Sequence, residues 1–258
     1  MRSWKNTENA GTSLSTMPRV VVSLTSHTRE RLAMLPYFLY RSILQYRLDY
    51  ARIVLTLYKD DLQYIPGRLR DLIDVGLVEL ITAPVNLRCH LKYFYAMKKY
   101  RDLPVITIDD DSIYPKDMIP DLLANAEKYP GTIIARSARV IDKYVPYARW
   151  RQCNGGVEAV TWRSHYGEIR SDLSPEGYGG VYYPADILKV DDTLIPEMSD
   201  FLRADDIYLT WLEQRRGVSC IVPRYDYNKL DLNTRPACSI CLQRGNLLMI
   251  DSLVRKYL

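Results

Sequence analysis

Four short runs of aliphatic and β-branched residues recur along the first half of the chain: Arg19–Thr25, Ile53–Tyr58, Val78–Thr82 and Val105–Ile108. Between them lie segments with apolar residues at helical spacing. These are Leu32–Tyr46, with Leu35, Phe38, Leu39 and Ile43 on one face, then Leu62–Val75, interrupted by Pro66-Gly67, then Leu91–Tyr100. Strand, helix, strand, repeated three times, admits few folds. Short right-handed crossovers place such strands side by side in a mostly parallel sheet with helices on its faces. The expected class is therefore α/β.

The second half is less regular. Pro115–Lys128 reads as a helix, with its proline at the start, acidic residues early and a lysine late. Thr132–Ile141 reads as one further strand. From Asp142 to Pro184 the chain is rich in Tyr, Trp, Gly and Arg. Asn154-Gly155-Gly156 and Gly177-Tyr178-Gly179-Gly180 are turn signals there, so short antiparallel strands and loops are predicted. Asp205–Arg216 is a helix, Val218–Val222 a strand and Leu242–Leu258 a helix. With 258 residues, one core can bury about three quarters of the unfolded surface without a staple. The expected division is a poorly ordered polar tail, 1–17, and one domain, 18–258, with a regular half to residue 130 and a loop-rich half from 131.

Composition removes several function classes. No run of about 18 apolar residues is present, so no transmembrane helix is expected, and the polar N-terminal stretch has no apolar region of the kind a signal peptide needs. The net charge is +4 with no block of about five or more like charges, which speaks against a nucleic-acid partner. Five cysteines, an odd number, without an export signal favour free thiols in the cytoplasm. Cys238-x-x-Cys241 lacks a second pair or a nearby His and reads as two thiols, not a zinc site.

Chemistry concentrates where the fourth apolar run ends. Val105-Ile106-Thr107-Ile108 runs straight into Asp109-Asp110-Asp111, and ligands of α/β sheets gather at the carboxyl ends of strands. Alternation along a strand would send Asp109 and Asp111 to one side and Asp110 to the other. Two carboxylates on one side call for a cation, and a hard divalent ion with oxygen ligands suits them. No glycine-rich phosphate loop follows the first strand, in either the GxxxxGK[ST] or the GxGxxG form, which removes ATPase and dinucleotide readings. The remaining ligand is a nucleoside diphosphate held by a metal and scattered side chains.

Thr107–Pro115, preceded by Leu91-Lys92-Tyr93-Phe94-Tyr95-Ala96 and by Ser23-Leu24-Thr25-Ser26, resembles bacterial family-2-like glycosyltransferases of the GT-A fold, which occur in surface-polysaccharide gene clusters. The resemblance covers Arg19 to Pro130 well and the rest loosely. It implies a Rossmann-like, mostly parallel sheet with flanking helices and a smaller antiparallel acceptor half. It also implies a nucleotide-sugar donor, UDP- or GDP-linked first, and Mn²⁺ or Mg²⁺. By this resemblance Asp111 ligates the metal and Asp109 meets the ribose or the metal through water. Asp110 belongs to the donor side, with Thr25, Ser26, His27 and Arg29 around the nucleotide and Lys92 near the nucleotide or diphosphate. Asp205-Asp206 resembles the acidic pair that opens a helix in inverting enzymes, with Asp206 as base and Asp205 supporting the acceptor. Tyr178, Gly179 and Gly180 could line the donor-sugar or acceptor site. Some GT-A enzymes add a late His to the metal. This chain has none after His165, which leaves water and diphosphate as the other ligands. The acceptor would be a glycan or a lipid-linked glycan, and the latter would bring the protein to the inner membrane face.

Each of these residues also has a plainer reading. Ser26 or Thr28 could simply cap a helix, Asp205 and Asp206 could satisfy a helix dipole, Lys92 could be a solvated lysine, and the tyrosines of 178–183 could be core. Two alternative functions stay open as well. A sugar-1-phosphate nucleotidyltransferase would start from a glycine-rich loop that is missing here, and a glycan- or nucleotide-binding scaffold would keep the fold without the base.

Overall fold

The computed structural model describes residues 18–44, 49–154, 167–223 and 244–258. The tail 1–17, Gly155-Gly156, Trp162, His165 and the Cys238/Cys241 pair lie outside the described residues. The regular half follows the predicted alternation: β1 (Val20–Thr25), α1 (Arg29–Ser42), β2 (Ala51–Tyr58), α2 (Gly67–Asp74), β3 (Glu79–Ala83), α3 (Phe94–Lys99), β4 (Val105–Thr107) and α4 (Met118–Lys128). The loop-rich half contributes β5 (Ile133–Ala135), β6 (Ser137–Val140), β7 (Arg151–Asn154), β8 (Leu173–Pro175), β9 (Val181–Tyr183), α5 (Ile195–Met198), α6 (Asp205–Arg216), β10 (Cys220–Ile221) and α7 (Arg244–Tyr257).

Seven strands form the main sheet in the order β10-β5-β9-β4-β1-β2-β3, and β7-β6-β8 form a small antiparallel sheet. All pairings in the main sheet are parallel except those of β9, which lies antiparallel between β4 and β5. The architecture is thus α/β, mostly parallel, with a smaller antiparallel part. β1 is buried on both faces: Val21 packs into one apolar cluster, Val20, Val22 and Leu24 into the other. A strand covered on both sides is mostly apolar, and its one fully buried polar side chain, Ser23, is hydrogen-bonded to the Lys92 carbonyl. α1 closes one face with Leu32, Leu35 and Leu39, all buried, each contributing about 1.5–3 kcal/mol relative to exposure. Among the described residues no helix is long and apolar enough to cross a membrane.

Three local expectations are corrected. The stretch Thr132–Ile141 is two strands, not one, because the chain passes at Arg136 from the main sheet to the small one. Leu91–Tyr100 is not a continuous helix: a 3-10 turn, Arg88–Lys92, comes first and α3 begins only at Phe94. The helix expected from Pro115 starts at Met118.

β1 is the pivot of the topology. It pairs with β2 on one side and β4 on the other, so the order of strands reverses there and the carboxyl ends of β1 and β4 lie together. Such a switch point opens a crevice that ligands use.

Candidate active site

The acidic turn after β4 is fastened to its neighbours. Ile108 N–H donates to the Ser23 carbonyl (3.1 Å), which continues β4 along β1 by one residue. Beyond it the strand stops. The Tyr114 hydroxyl accepts from Asp109 N–H (2.9 Å), and Ser42 Oγ at the end of α1 donates to the Ser112 carbonyl (3.0 Å) and accepts from Tyr114 N–H (3.2 Å). Residues 109–114 are therefore a turn, and strand alternation does not govern its side chains. Asp110, predicted to point away, instead faces Arg31 of α1. Arg31 Nε donates to Asp110 Oδ2 (3.0 Å), and Nη2 bonds both Asp110 Oδ1 and Asp111 Oδ2, the latter at 2.9 Å. Asp110 is nearly buried and Asp111 one-third exposed (6% and 33% of the side chain).

Lys92 departs furthest from expectation. In place of a solvated lysine, the structure places a buried ammonium between carboxylates. Lys92 Nζ lies 2.9 Å from Asp109 Oδ1 and 2.7 Å from Asp205 Oδ2. The 3-10 turn sets it there. The Lys92 carbonyl accepts from Ser23 Oγ of β1 (2.7 Å). On the other side His90 Nε2–H donates to the Phe201 carbonyl (2.9 Å), its Nδ1 accepts from the Tyr93 hydroxyl (2.8 Å), and Cys89 Sγ donates to the Leu202 carbonyl (3.3 Å). One turn thereby joins the sheet to the chain entering α6. Burial opposes the charge on Lys92, but Asp109, Asp205 and Asp206 outweigh it and hold the ammonium well above its usual range.

Asp205 and Asp206 open α6 as expected, yet their environments differ. Burial pushes Asp205 up, while the Lys92 ammonium and then His90 bring it below the usual carboxylate range. Asp206 is pushed well above that range, by burial first and then by the charge of Asp205, with Lys92 only partly offsetting them. Asp206 Oδ1 accepts from Gly177 N–H (3.2 Å). Gly177 has no room for a side chain: a Cβ there would stand 2.5 Å from Lys92 Nζ and 3.3 Å from Asp206 Oδ1. The loop carrying it is pinned by buried Glu176, which accepts from Ser137 Oγ (2.6 Å) and from Arg139 Nε (2.8 Å). The Tyr178 hydroxyl lies 2.9 Å from the same Ser137 Oγ. Gly179 packs against Ser137, and Gly180, at φ 88°, adopts the left-handed conformation that turns the chain into β9. Gly177 thus forms the wall beside Asp206, while Tyr178 and Gly179 meet Ser137 and Gly180 meets Met118.

The loop after β1 lies across the turn. Thr25 Oγ1 donates to the Thr56 carbonyl (2.7 Å), so it ties β1 to β2. Ser26 Oγ is buried and has no hydrogen-bond partner among the described residues. Thr28 caps α1 by accepting from Arg31 N–H (3.4 Å) at φ 65°, ψ 150°, a costly conformation for a threonine. Arg29 is exposed. Partial burial of the His27 ring, and then Arg31, lower its pKa, with Asp110, Asp61 and Arg88 also acting on it. Sequence reasoning missed Arg31, Asp61, Arg88 and Glu176. For Arg31 a signal existed: it lies on the first turn after β1, beside the strand that ends in three carboxylates.

No family model matches this chain, and no curated protein does. Solved structures are similar to it. One is the mannosyltransferase PcManGT from Pyrobaculum calidifontis in complex with GDP-Man and Mn²⁺, at 13% identity and TM-score 0.48, covering 80% of this chain and 55% of that one. Another is S. aureus TarS, at 14% identity and TM-score 0.49, covering 81% and 36%. A third is S. aureus TarS 1-349 in complex with UDP-GlcNAc, at 13% identity and TM-score 0.47, covering 79% and 56%. The chain spans about half the length, or less, of the structures it is similar to.

The donor set decides what cation the acidic turn suits. Among the described residues no group of three His, Cys, Asp or Glu side chains is placed to hold a metal. Asp109 and Asp111 are each about one-third exposed. Burial and then Asp109 raise Asp111 above its usual range against the pull of Arg31, so its negative charge is incompletely balanced. Two open carboxylate groups fit a hard cation that brings its own phosphate ligands, the common mode for Mg²⁺ at diphosphates.

Proposed function

We propose that the protein is a glycosyltransferase of the GT-A fold that moves a sugar, with inversion, from a nucleotide-sugar donor to a hydroxyl of a glycan or lipid-linked acceptor in surface-polysaccharide synthesis. One observation carries the reading. The buried Lys92 ammonium joins Asp109, at the strand end suited to a diphosphate, to Asp205, at the start of α6. Leaving-group chemistry and proton removal thereby come within one site.

The donor diphosphate lies at the acidic turn. Asp109 and Asp111 would hold a Mn²⁺ or Mg²⁺ ion, whose positive charge would stabilise the departing diphosphate. Ser26, His27 and Arg29, with Asp61 and Arg88 nearby, line the nucleotide side, and Thr25 holds the end of β1 in place. Asp206 takes the proton of the acceptor hydroxyl as its oxygen forms the new bond to the anomeric carbon. The bond from that carbon to the diphosphate oxygen breaks, and the diphosphate leaves with the electron pair. A base works best with a pKa near the working pH, and burial together with Asp205 displaces Asp206 in that direction. Asp205, engaged by Lys92, holds its neighbour's surroundings negative. Tyr178 and Gly179-Gly180 form the wall that the sugar or acceptor meets.

The test is a panel of UDP-, GDP-, dTDP- and CMP-sugars with Mn²⁺ or Mg²⁺, following release of the nucleotide. The expected result is slow hydrolysis of one donor. No turnover of any donor, together with binding of nucleotides or glycans, would leave a scaffold and overturn the reading.

A further inference from the structure

Two internal cations balance the acidic turn, and each holds one outer and one inner carboxylate. Arg31 holds Asp111 outside and nearly buried Asp110 inside. Lys92 holds Asp109 outside and Asp205 inside, the side chain of Asp205 being half as exposed as that of Asp109 (14% against 29%). We propose that Arg31 is the resident counter-ion of the turn, and that a divalent cation arriving with the donor diphosphate takes Asp111 from it. The inference rests on the metal reading given above.

The bonding makes the exchange possible. Arg31 meets Asp110 through both Nε and Nη2, the forked geometry that only a guanidinium offers. Its bond to Asp111 uses the same Nη2, so it can be lost while the fork stays intact. Removing a partner from a buried charge normally costs several kcal/mol. Here neither cation is orphaned: when Asp111 leaves, Arg31 keeps Asp110, and when Asp109 leaves, Lys92 keeps Asp205. Arg31 also stands on the first turn of α1, where its N–H meets the Thr28 cap. Surrender of Asp111 leaves an Nη2 donor free beside the incoming phosphates, at the base of the loop that lines the nucleotide.

A counter-ion that competes with the metal should weaken metal binding, whereas a merely structural arginine should support it. The probe is Mn²⁺ alone, followed by water-proton relaxation on the full chain. In Arg31→Met/Asp110→Leu the buried pair is removed together, so no charge is stranded and the net charge of the turn is unchanged; Asp111 loses the competing cation that stood 2.9 Å from it, and the Mn²⁺ dissociation constant should fall about threefold. Arg31→Lys supplies a second variant. An ammonium has no fork and remains on Asp110, so binding should tighten by roughly threefold. Wild-type or weaker Mn²⁺ affinity in either folded variant overturns the proposal. Asp111→Asn separates the two claims: it should abolish Mn²⁺ binding, and if it leaves wild-type binding unchanged, the metal reading itself fails.

Discussion

The two acidic motifs are built from the same residue in opposite ways. At the end of β4 three carboxylates share two cations, Arg31 and Lys92, on a turn that stays partly open. At the start of α6 two carboxylates share one cation already engaged elsewhere, under a loop brought close by Gly177. Sharing of cations at the first leaves partly open carboxylates that can be handed to another cation. Charge excess at the second raises the proton affinity of a carboxylate. A carboxylate's role follows from how many cations it must share and how far water is excluded, not from its being an aspartate.

The sharpest way to break this contrast is to remove the shared cation. Lys92→Met strands Asp109, Asp205 and Asp206 together, and loss of one partner of a buried pair costs about 3–5 kcal/mol. Urea unfolding should register a loss of that order, and a change below 1 kcal/mol would mean that Lys92 does not balance the two motifs. Next comes the proposed base. Asp206→Asn should lower transfer by about 10³-fold, within the range of general-base contributions, with donor KM changed less than threefold. In the wild type, kcat should fall with decreasing pH through a pKa displaced above the ordinary carboxylate range. Near-normal transfer by the variant would remove Asp206 from the mechanism. Gly177→Ala tests the closed side. Its Cβ must displace a pinned ammonium, so a loss of about 2 kcal/mol is expected, as for overpacking elsewhere, and unchanged unfolding would show that the wall yields freely.

A further effect concerns Glu213, two turns after Asp206 on α6. It is buried, with Oε1 lacking a hydrogen-bond partner among the described residues. Burial, then the charge of Asp206, raises its pKa from 4.5 to about 8. A raised acid favours the folded state while protonated, so its stabilisation is complete below pH 4.5 and is lost as pH rises through 8. Melting temperatures of wild type and Glu213→Gln, measured from pH 5 to 9, should show a decline in the wild type that the variant lacks. Parallel curves would show that Glu213 does not titrate with folding.

Much of the regular half was legible. The runs at Arg19, Ile53 and Val105 are β-branched and aliphatic because strands buried on two faces tolerate little else, the run at Val78 supplies the half-buried edge strand β3, and their helices show periodic apolar faces. The acidic turn and the Asp205-Asp206 helix start were also visible as patterns. The plainer reading of Lys92 as a solvated lysine fails because hydrogen bonds from Ser23 and to the Phe201 and Leu202 carbonyls, all distant in sequence, define a 3-10 turn that buries it. Asp110 was misjudged because alternation was carried past the point where the strand ends.

Local pattern alone determined the α/β class, the order of the first four strands along the chain and the two places where carboxylates cluster, since apolar period and turn chemistry are properties of neighbouring residues. Which cation each carboxylate meets was decided only by tertiary structure. Arg31 reaches Asp110 and Asp111 across about 80 residues of chain, and Lys92 reaches Asp205 only because β1 and the chain entering α6 grip one short turn. Charge and burial at a point depend on what the fold brings there, and for the Val105–Pro115 turn the fold brings two cations.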